Sequence, residues 1–321
     1  MNFFIAIMFL HQNNLRLLQI LICILMTGHL LHAQDVPGVI SGTIVRIENF
    51  KSQWVSSRYI DIWIPDHNPQ DTMAVLYMHD GQMLFDSTKT WNKQAWDIDD
   101  ILDKIYRHTP AKKIMVVGIW NSGKTRYPEY FPQKPFESLG EKEREFIVNL
   151  ARQFSDIPDI QGPWSDKYLK FITEELKPYI DTKFAVYKDR KHTFIGGSSM
   201  GGLISWYALC EYPEIFGGAM CVSTHWPGIF DQKDNPVPPA FFNYLQKHLP
   251  DPDKHLIYSD CGDQGLDASY PVLQSQFERI LNEKGYTDKQ TLNVIYPGQD
   301  HSEKAWKSRL SKPLEFFIKS F

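Results

Sequence analysis

Thr193-Phe194-Ile195-Gly196-Gly197-Ser198-Ser199-Met200-Gly201-Gly202-Leu203 is the stretch from which the rest of the chain can be read. It opens on β-branched and aromatic residues, which strands favour. The apolar run Leu203–Tyr212 that follows predicts a helix. Between them lies Gly-x-Ser-x-Gly, centred on Ser199. A strand that turns sharply into a helix forces its corner residue into a strained backbone conformation and projects that side chain beyond the sheet. Gly197 and Gly201 have no Cβ to clash where strand and helix approach. The Met200 N–H, at the helix N-terminus, then points to the same place, where it can stabilise a developing oxyanion. Ser199 is therefore the expected nucleophile, and Ser198, off-centre in the motif, is its rival.

Outward from this corner, apolar runs recur at Ala74–Met78, Ile114–Trp120, Ala219–Ser223, His255–Ser259 and Leu292–Tyr296. Several are nearly continuous, as in strands covered on both faces. Helical spacing separates them. In Asp166–Ile180 the apolar residues Leu169, Ile172, Leu176, Tyr179 and Ile180 recur at three- and four-residue steps, with Ser165 as the expected N-cap. Tyr270–Glu283 and Glu303–Ile318 read the same way. Strands alternating with helices predict an α/β fold: a mostly parallel central sheet with helices on both faces. The alternation in Tyr59–Pro65 predicts an antiparallel hairpin within Gly38–Pro65. Residues 121–165, rich in prolines and aromatics, read as an elaborated loop or small lid.

The whole chain has 321 residues, 43% hydrophobic, with a net charge of −4. That is enough apolar material for a sizeable core. No basic excess exists to hold a phosphate backbone, so no nucleic-acid partner is expected. Four cysteines without a CxxC pair argue against a zinc site. Cys210 and Cys221 read as small buried hydrophobes. Residues 1–33 read as an export signal: the apolar run Leu17–Met26 falls short of the ~20 residues a membrane span needs, and Ala33 precedes the expected cut. Residues 34–321 would then form one exported domain, periplasmic or secreted, with no membrane attachment after cleavage.

A serine needs a base to take its proton, and the base needs a third group to orient it. With a nucleophile at such a corner the chain order is Ser, acid, His. Downstream of Ser199, His301 follows the last strand in the turn Pro297-Gly298-Gln299-Asp300-His301, at the same sheet edge as the nucleophile. It is the expected base. His225 ends a strand on that edge and is the runner-up, better read as lining a pocket beside Trp226. His248 lies in a helix and His255 at the opposite edge. The acid should follow the penultimate strand, where Asp260, Asp263 and Asp267 all stand within reach. A second oxyanion donor is expected after Ala74–Met78, where Gly81 permits a turn that aims the Gln82 N–H. One other motif, Gly118-Ile-Trp-Asn-Ser-Gly123-Lys124-Thr125, matches a phosphate-binding loop. Such a loop needs a helix at Lys124, and Pro128, Pro132 and Pro135 argue against one.

Tyr77-Met78-His79-Asp80-Gly81-Gln82-Met83-Leu84-Phe85-Asp86, Gly196–Leu203 and Asp300-His301-Ser302-Glu303-Lys304-Ala305-Trp306 resemble the putative esterase family of the α/β-hydrolase superfamily. That family includes enterochelin esterases, esterase D and family 1 carbohydrate esterases. The resemblance runs from about Gly38 to Phe321. It implies ester hydrolysis through Ser199 and His301, with the Met200 and Gln82 amides as oxyanion hole and no metal or organic cofactor. Relatives often read Gly-Thr-x-x-Leu-Asp where this chain has Gly262-Asp263-Gln264-Gly265-Leu266-Asp267. This favours Asp267 as the acid, with Asp263 as the alternative. The expected partner is a small-molecule or polysaccharide-linked ester, carbohydrate, feruloyl or siderophore in kind. Asn121, Arg126, His225 and Trp226 are the expected substrate contacts. An acyltransferase on the same fold, or a non-catalytic carbohydrate-binding relative, are the competing readings.

Overall fold

The computed structural model describes residues 35–108, 112–155, 157, 159–229 and 234–321. The expected export segment lies outside them. Among the described residues eight strands form one sheet: β1 (Thr43–Phe50), β2 (Arg58–Ile64), β3 (Ala74–His79), β4 (Ile114–Ile119), β5 (Thr193–Ser198), β6 (Gly218–Val222), β7 (Leu256–Cys261) and β8 (Thr291–Ile295). Their spatial order is β1-β2-β4-β3-β5-β6-β7-β8. β1 pairs antiparallel with β2, Val45 opposite Ile62, and β2 runs antiparallel to β4. From β4 to β8 every pairing is parallel.

Alternation along each strand divides the core in two. Val75 and Tyr77 of β3 join one apolar cluster; Ala74, Leu76 and Met78 join the other. β4 divides the same way, Met115 and Val117 against Ile114 and Val116. Both faces are thus covered, which is why these strands read as continuous apolar runs. On the first face pack the helices Met200–Glu211, Val237–His248 and Tyr270–Glu283, through Leu203, Phe241 and Phe277 among others. On the second pack Ile98–His108, Glu303–Arg309 and Ser311–Ile318, through Leu102, Trp306 and Phe317. Among the described residues no helix is long and apolar enough to cross a membrane. Cys210, Cys221 and Cys261 are free thiols, all buried.

Three expectations change in detail. The stretch 121–165 is largely helical, with Arg126–Tyr130, Gln133–Glu137 and Glu141–Ser155. Pro128 and Pro135 are each the third residue of a helix, where an N–H has no intrahelical acceptor to lose. The prolines therefore shorten these helices without abolishing them. Ser165 is the first helical residue rather than the cap, and its hydroxyl accepts from the Gln133 N–H at 3.0 Å. The stretch Glu303–Ile318 divides at Leu310, because Pro313 lacks the N–H that would bond the Arg309 carbonyl.

The topology locates the site. β3 leads on to β4 at one side, whereas β5, its other neighbour, leads on to β6 at the opposite side. This reversal opens a crevice at the carboxyl ends of β3 and β5, where open α/β sheets bind ligands. Trp226, expected in that crevice, lies elsewhere. It is fully buried, its indole N–H donates to Gln274 Oε1 at 2.8 Å, and its ring packs on Trp206 and Phe277. A large ring with its one polar atom satisfied is core, not a substrate platform. Trp226→Ala should accordingly cost about 3–5 kcal/mol of stability in urea unfolding. A raised KM at unchanged stability would contradict this placement.

Candidate active site

Ser199 joins β5 to the helix Met200–Glu211 with φ 58° and ψ −120°, a left-handed strain that a non-glycine residue holds only when its surroundings impose it. They do. The Ser199 N–H donates to the Val222 carbonyl at 2.9 Å, and its own carbonyl accepts from Gly202, Leu203 and His225. The glycines permit the close approach. A Cβ at Gly197 would lie 3.1 Å from both the Gly201 Cα and the His79 Cβ, and one at Gly202 only 2.6 Å from Thr224 Oγ1. The serine side chain makes no capping bond to its helix. Ser198, the rival, is a buried residue of β5.

His301 Nδ1 lies 2.6 Å from Asp267 Oδ1. Asp267 is fully buried, and its Oδ2 accepts from the Ser223 hydroxyl at 2.6 Å and the Gly262 N–H at 2.8 Å. Burial alone would raise this carboxyl. His301, Ser223 and Gly262 outweigh it and hold Asp267 below the usual carboxylate range. Gly262 is needed here, since a Cβ on it would lie 2.1 Å from the Gln299 carbonyl oxygen. The His301 ring packs edge-on against Tyr270 and Trp306. Of the other two aspartates, Asp263 is half-buried and accepts from the Gly298 N–H, and Asp260 pairs with Arg309.

After β3, Asp80 takes up the left-handed conformation (φ 56°, ψ 45°) and starts a single 3₁₀ turn, Gly81–Met83. A Cβ at Gly81 would lie 2.5 Å from the Gly118 carbonyl carbon, so only glycine lets this turn settle against β4. The Asp80 carboxylate receives both Nε and Nη2 of Arg126 at 2.7 Å, and Asn121 Nδ2 at 2.7 Å. Burial works against ionisation of Asp80, but Arg126 and Asn121 prevail and lower its pKa. The Gln82 side chain accepts from the Asn121 N–H, tying the β3 and β4 loops together.

Beside Ser199 opens a cavity of about 320 Å3. Tyr127, Leu150, Ile229 and Leu266 give it a mainly apolar wall, and Met200, Arg126 and His225 also line it. Two of the expected substrate contacts are thus at the cavity, but in altered form. Arg126 is there with its guanidinium engaged by Asp80. His225 is there as a neutral imidazole, hydrogen-bonded through Nδ1 to Tyr270. Burial, with the charges of His301 and Arg126 nearby, pulls His225 down to about 3 despite Asp267. Asn121 does not line this cavity: its Nδ2 is given to Asp80 and its Oδ1 accepts from the Gly123 N–H. His255 has both ring nitrogens on backbone carbonyls, far in sequence and partnership from the site. His79, behind the elbow, is also pulled to about 3 by burial and bonds Tyr168 through Nδ1. Sequence reading missed Ser223, Tyr270 and Arg309. The only signal they offered was position, Ser223 at a strand end and Arg309 on the helix after His301.

The family model described as "Putative esterase" matches residues 55–317. The uncharacterized protein YbbA of Bacillus subtilis (strain 168) is 22% identical over 269 residues, 81% of this chain and 92% of that protein. A solved ferulic acid esterase superposes with a TM-score of 0.60 at 18% identity, covering 88% of this chain and 100% of the other. An IroE-like serine hydrolase from Shewanella oneidensis gives 0.59 at 17% identity, covering 86% and 80%. At such identities the two structures speak for the fold, an α/β-hydrolase sheet. With the family match running from β1–β2 to the last helix, this chain belongs to the putative esterase family of ester hydrolases.

Proposed function

We propose that this ester hydrolase works through an acyl-enzyme on Ser199, with His301 as its base and Asp267 orienting that base. The observation that carries the reading is the 2.6 Å Asp267–His301 hydrogen bond at the sheet edge that also presents the strained Ser199. Ser199 Oγ attacks the ester carbonyl as its proton passes to His301 Nε2. The Met200 and Gln82 N–H groups receive the tetrahedral oxyanion, each worth about 2.7–4 kcal/mol of barrier by analogy with measured donors. Collapse expels the alcohol, which takes the proton from His301. Water, activated by the same imidazole, then releases the acid and restores the serine.

The cavity supports a substrate class. Its walls are apolar, and the Arg126 charge is already matched by Asp80. An uncharged aromatic acyl group, feruloyl in kind, suits this lining better than an anionic one. The ferulic acid esterase fold neighbour points the same way. The ester linkage itself is open to a small alcohol or a polysaccharide. The reading of residues 1–33 as an export signal supports action outside the cytoplasm.

Ser199→Ala should lower hydrolysis of p-nitrophenyl acetate and methyl ferulate by about 10⁶-fold at unchanged melting temperature. An unaltered rate would sink the serine mechanism, and native protein inert towards methyl ferulate would remove the aromatic class. For the acid, Asp267→Asn should cost about 10⁴-fold in kcat, because the imidazole is left in the wrong tautomer. Asp263→Asn should leave kcat nearly unchanged; the reverse pattern would transfer the role. Export is checked by N-terminal sequencing of protein recovered from outside the cytoplasm, expected to begin at Gln34.

A further inference from the structure

Behind Asp267 lies a group of buried polar side chains that the reaction steps do not use. Ser223 follows β6 with φ 39° and is fully buried. Its N–H donates to Asp260 Oδ1 at 3.0 Å, and its hydroxyl to Asp267 Oδ2 at 2.6 Å. Arg309, the last residue of the helix that starts just after His301, reaches the same hydroxyl. Its Nη2 donates to Ser223 Oγ at 2.7 Å and to Asp260 Oδ1 at 3.0 Å, and its Nε donates to Asp260 Oδ2 at 3.1 Å. Tyr258 supplies Asp260 Oδ2 with another donor, at 2.6 Å.

Chemistry sets the direction of every bond. A guanidinium has donors only, so Ser223 Oγ must accept from Arg309. The single hydroxyl proton is then free for one other acceptor. Each Asp260 oxygen already receives two donors, which leaves Asp267 Oδ2. With that oxygen held by Ser223 and by the Gly262 N–H, Oδ1 is turned towards His301. We infer that Ser223 and Arg309 are positioning residues for the Asp267–His301 pair, Arg309 acting by committing the Ser223 proton to Asp267. The inference rests on the acyl-enzyme reading above. The same contacts anchor the far end of the helix Glu303–Arg309 to the ends of β6 and β7, while its near end adjoins His301.

The test is a double-mutant cycle on p-nitrophenyl acetate, followed across pH and beside thermal melts. Ser223→Ala removes the relay and leaves Arg309 on Asp260. Arg309→Lys keeps a charge opposite Asp260 but cannot fork to both partners. Each should lower kcat by about 10- to 100-fold at unchanged KM. Each should also move the acid limb of kcat to higher pH, because Asp267 with fewer donors draws the imidazolium more strongly. Tyr270, packed on His301, and His225, close enough to feel its charge, are untouched by either change. The double variant should be no slower than the slower single one. Additive losses, or a lower melting temperature with the acid limb unmoved, would overturn the inference. Should Arg309→Lys not fold, Ser223→Ala decides alone, and normal kcat with an unmoved limb overturns it. Ser199→Ala separates the two levels. Activity remaining there removes the serine reading and this inference together, whereas an inactive Ser199→Ala beside an unaffected Ser223→Ala removes this inference only.

Discussion

Backbone packed directly on backbone, at the point where the sheet's connections reverse, is the constraint on which this molecule depends. The turn after β3 presses Gly81 against Gly118, and the corner after β5 presses Gly197 and Gly201 against His79. Glycine alone fits at these contacts, so the turn that bears Gln82 and the corner that bears Met200 lie close together. Two left-handed non-glycine residues, Asp80 and Ser199, stand at the two corners. Each is held from outside itself, Asp80 by Arg126 and Asn121, Ser199 by bonds from and to the β6 end. Strain of this sort persists only where neighbours over-determine it.

Charge is handled by enclosure in pairs. Arg58–Glu129, Arg126–Asp80 and Arg309–Asp260 are each bidentate or forked, and the first and third are almost wholly buried. Removing one member of such a pair strands the other in a poorly solvated interior, at a cost of several kcal/mol. They therefore tie chain segments together more by what breaking them costs than by what forming them gains. Arg58–Glu129 fastens the helical insertion to β2, and Arg126–Asp80 fastens the same insertion to the β3 turn. The insertion that walls the cavity is thus riveted at two places to the sheet.

What could be read from the chain was what is encoded locally. The doubly buried strands, the hairpin, the corner at Ser199 and the turn bearing His301 each announce themselves within about ten residues. The choice among three aspartates does not. Asp260 stands in β7 and Asp263 and Asp267 follow just after it, and only the fold determines which reaches His301 and which reaches Arg309. Trp226 failed as an expected substrate contact for the same reason, since its burial depends on Gln274 and Trp206. Arg126 showed its charge in the sequence but not the carboxylate that neutralises it, 46 residues away. In the insertion the number of prolines argues against helix, but Pro128 and Pro135 sit in first turns, where they are tolerated.

The two neutral histidines give the cleft a thermodynamic asymmetry. His79 and His225 both have folded-state affinities for protons depressed to about 3, against an ordinary value near 6.5. An unfolded or locally opened chain therefore takes up protons on them at a pH where the closed fold refuses. The stability tied to each is complete above about 6.5, declines as pH falls below it, and is exhausted near 3. One histidine packs against the glycines of the Ser199 corner and the other walls the cavity. Mild acid thus bears on the sheet edge that carries Ser199, the part of the molecule whose opening lets those two rings be protonated.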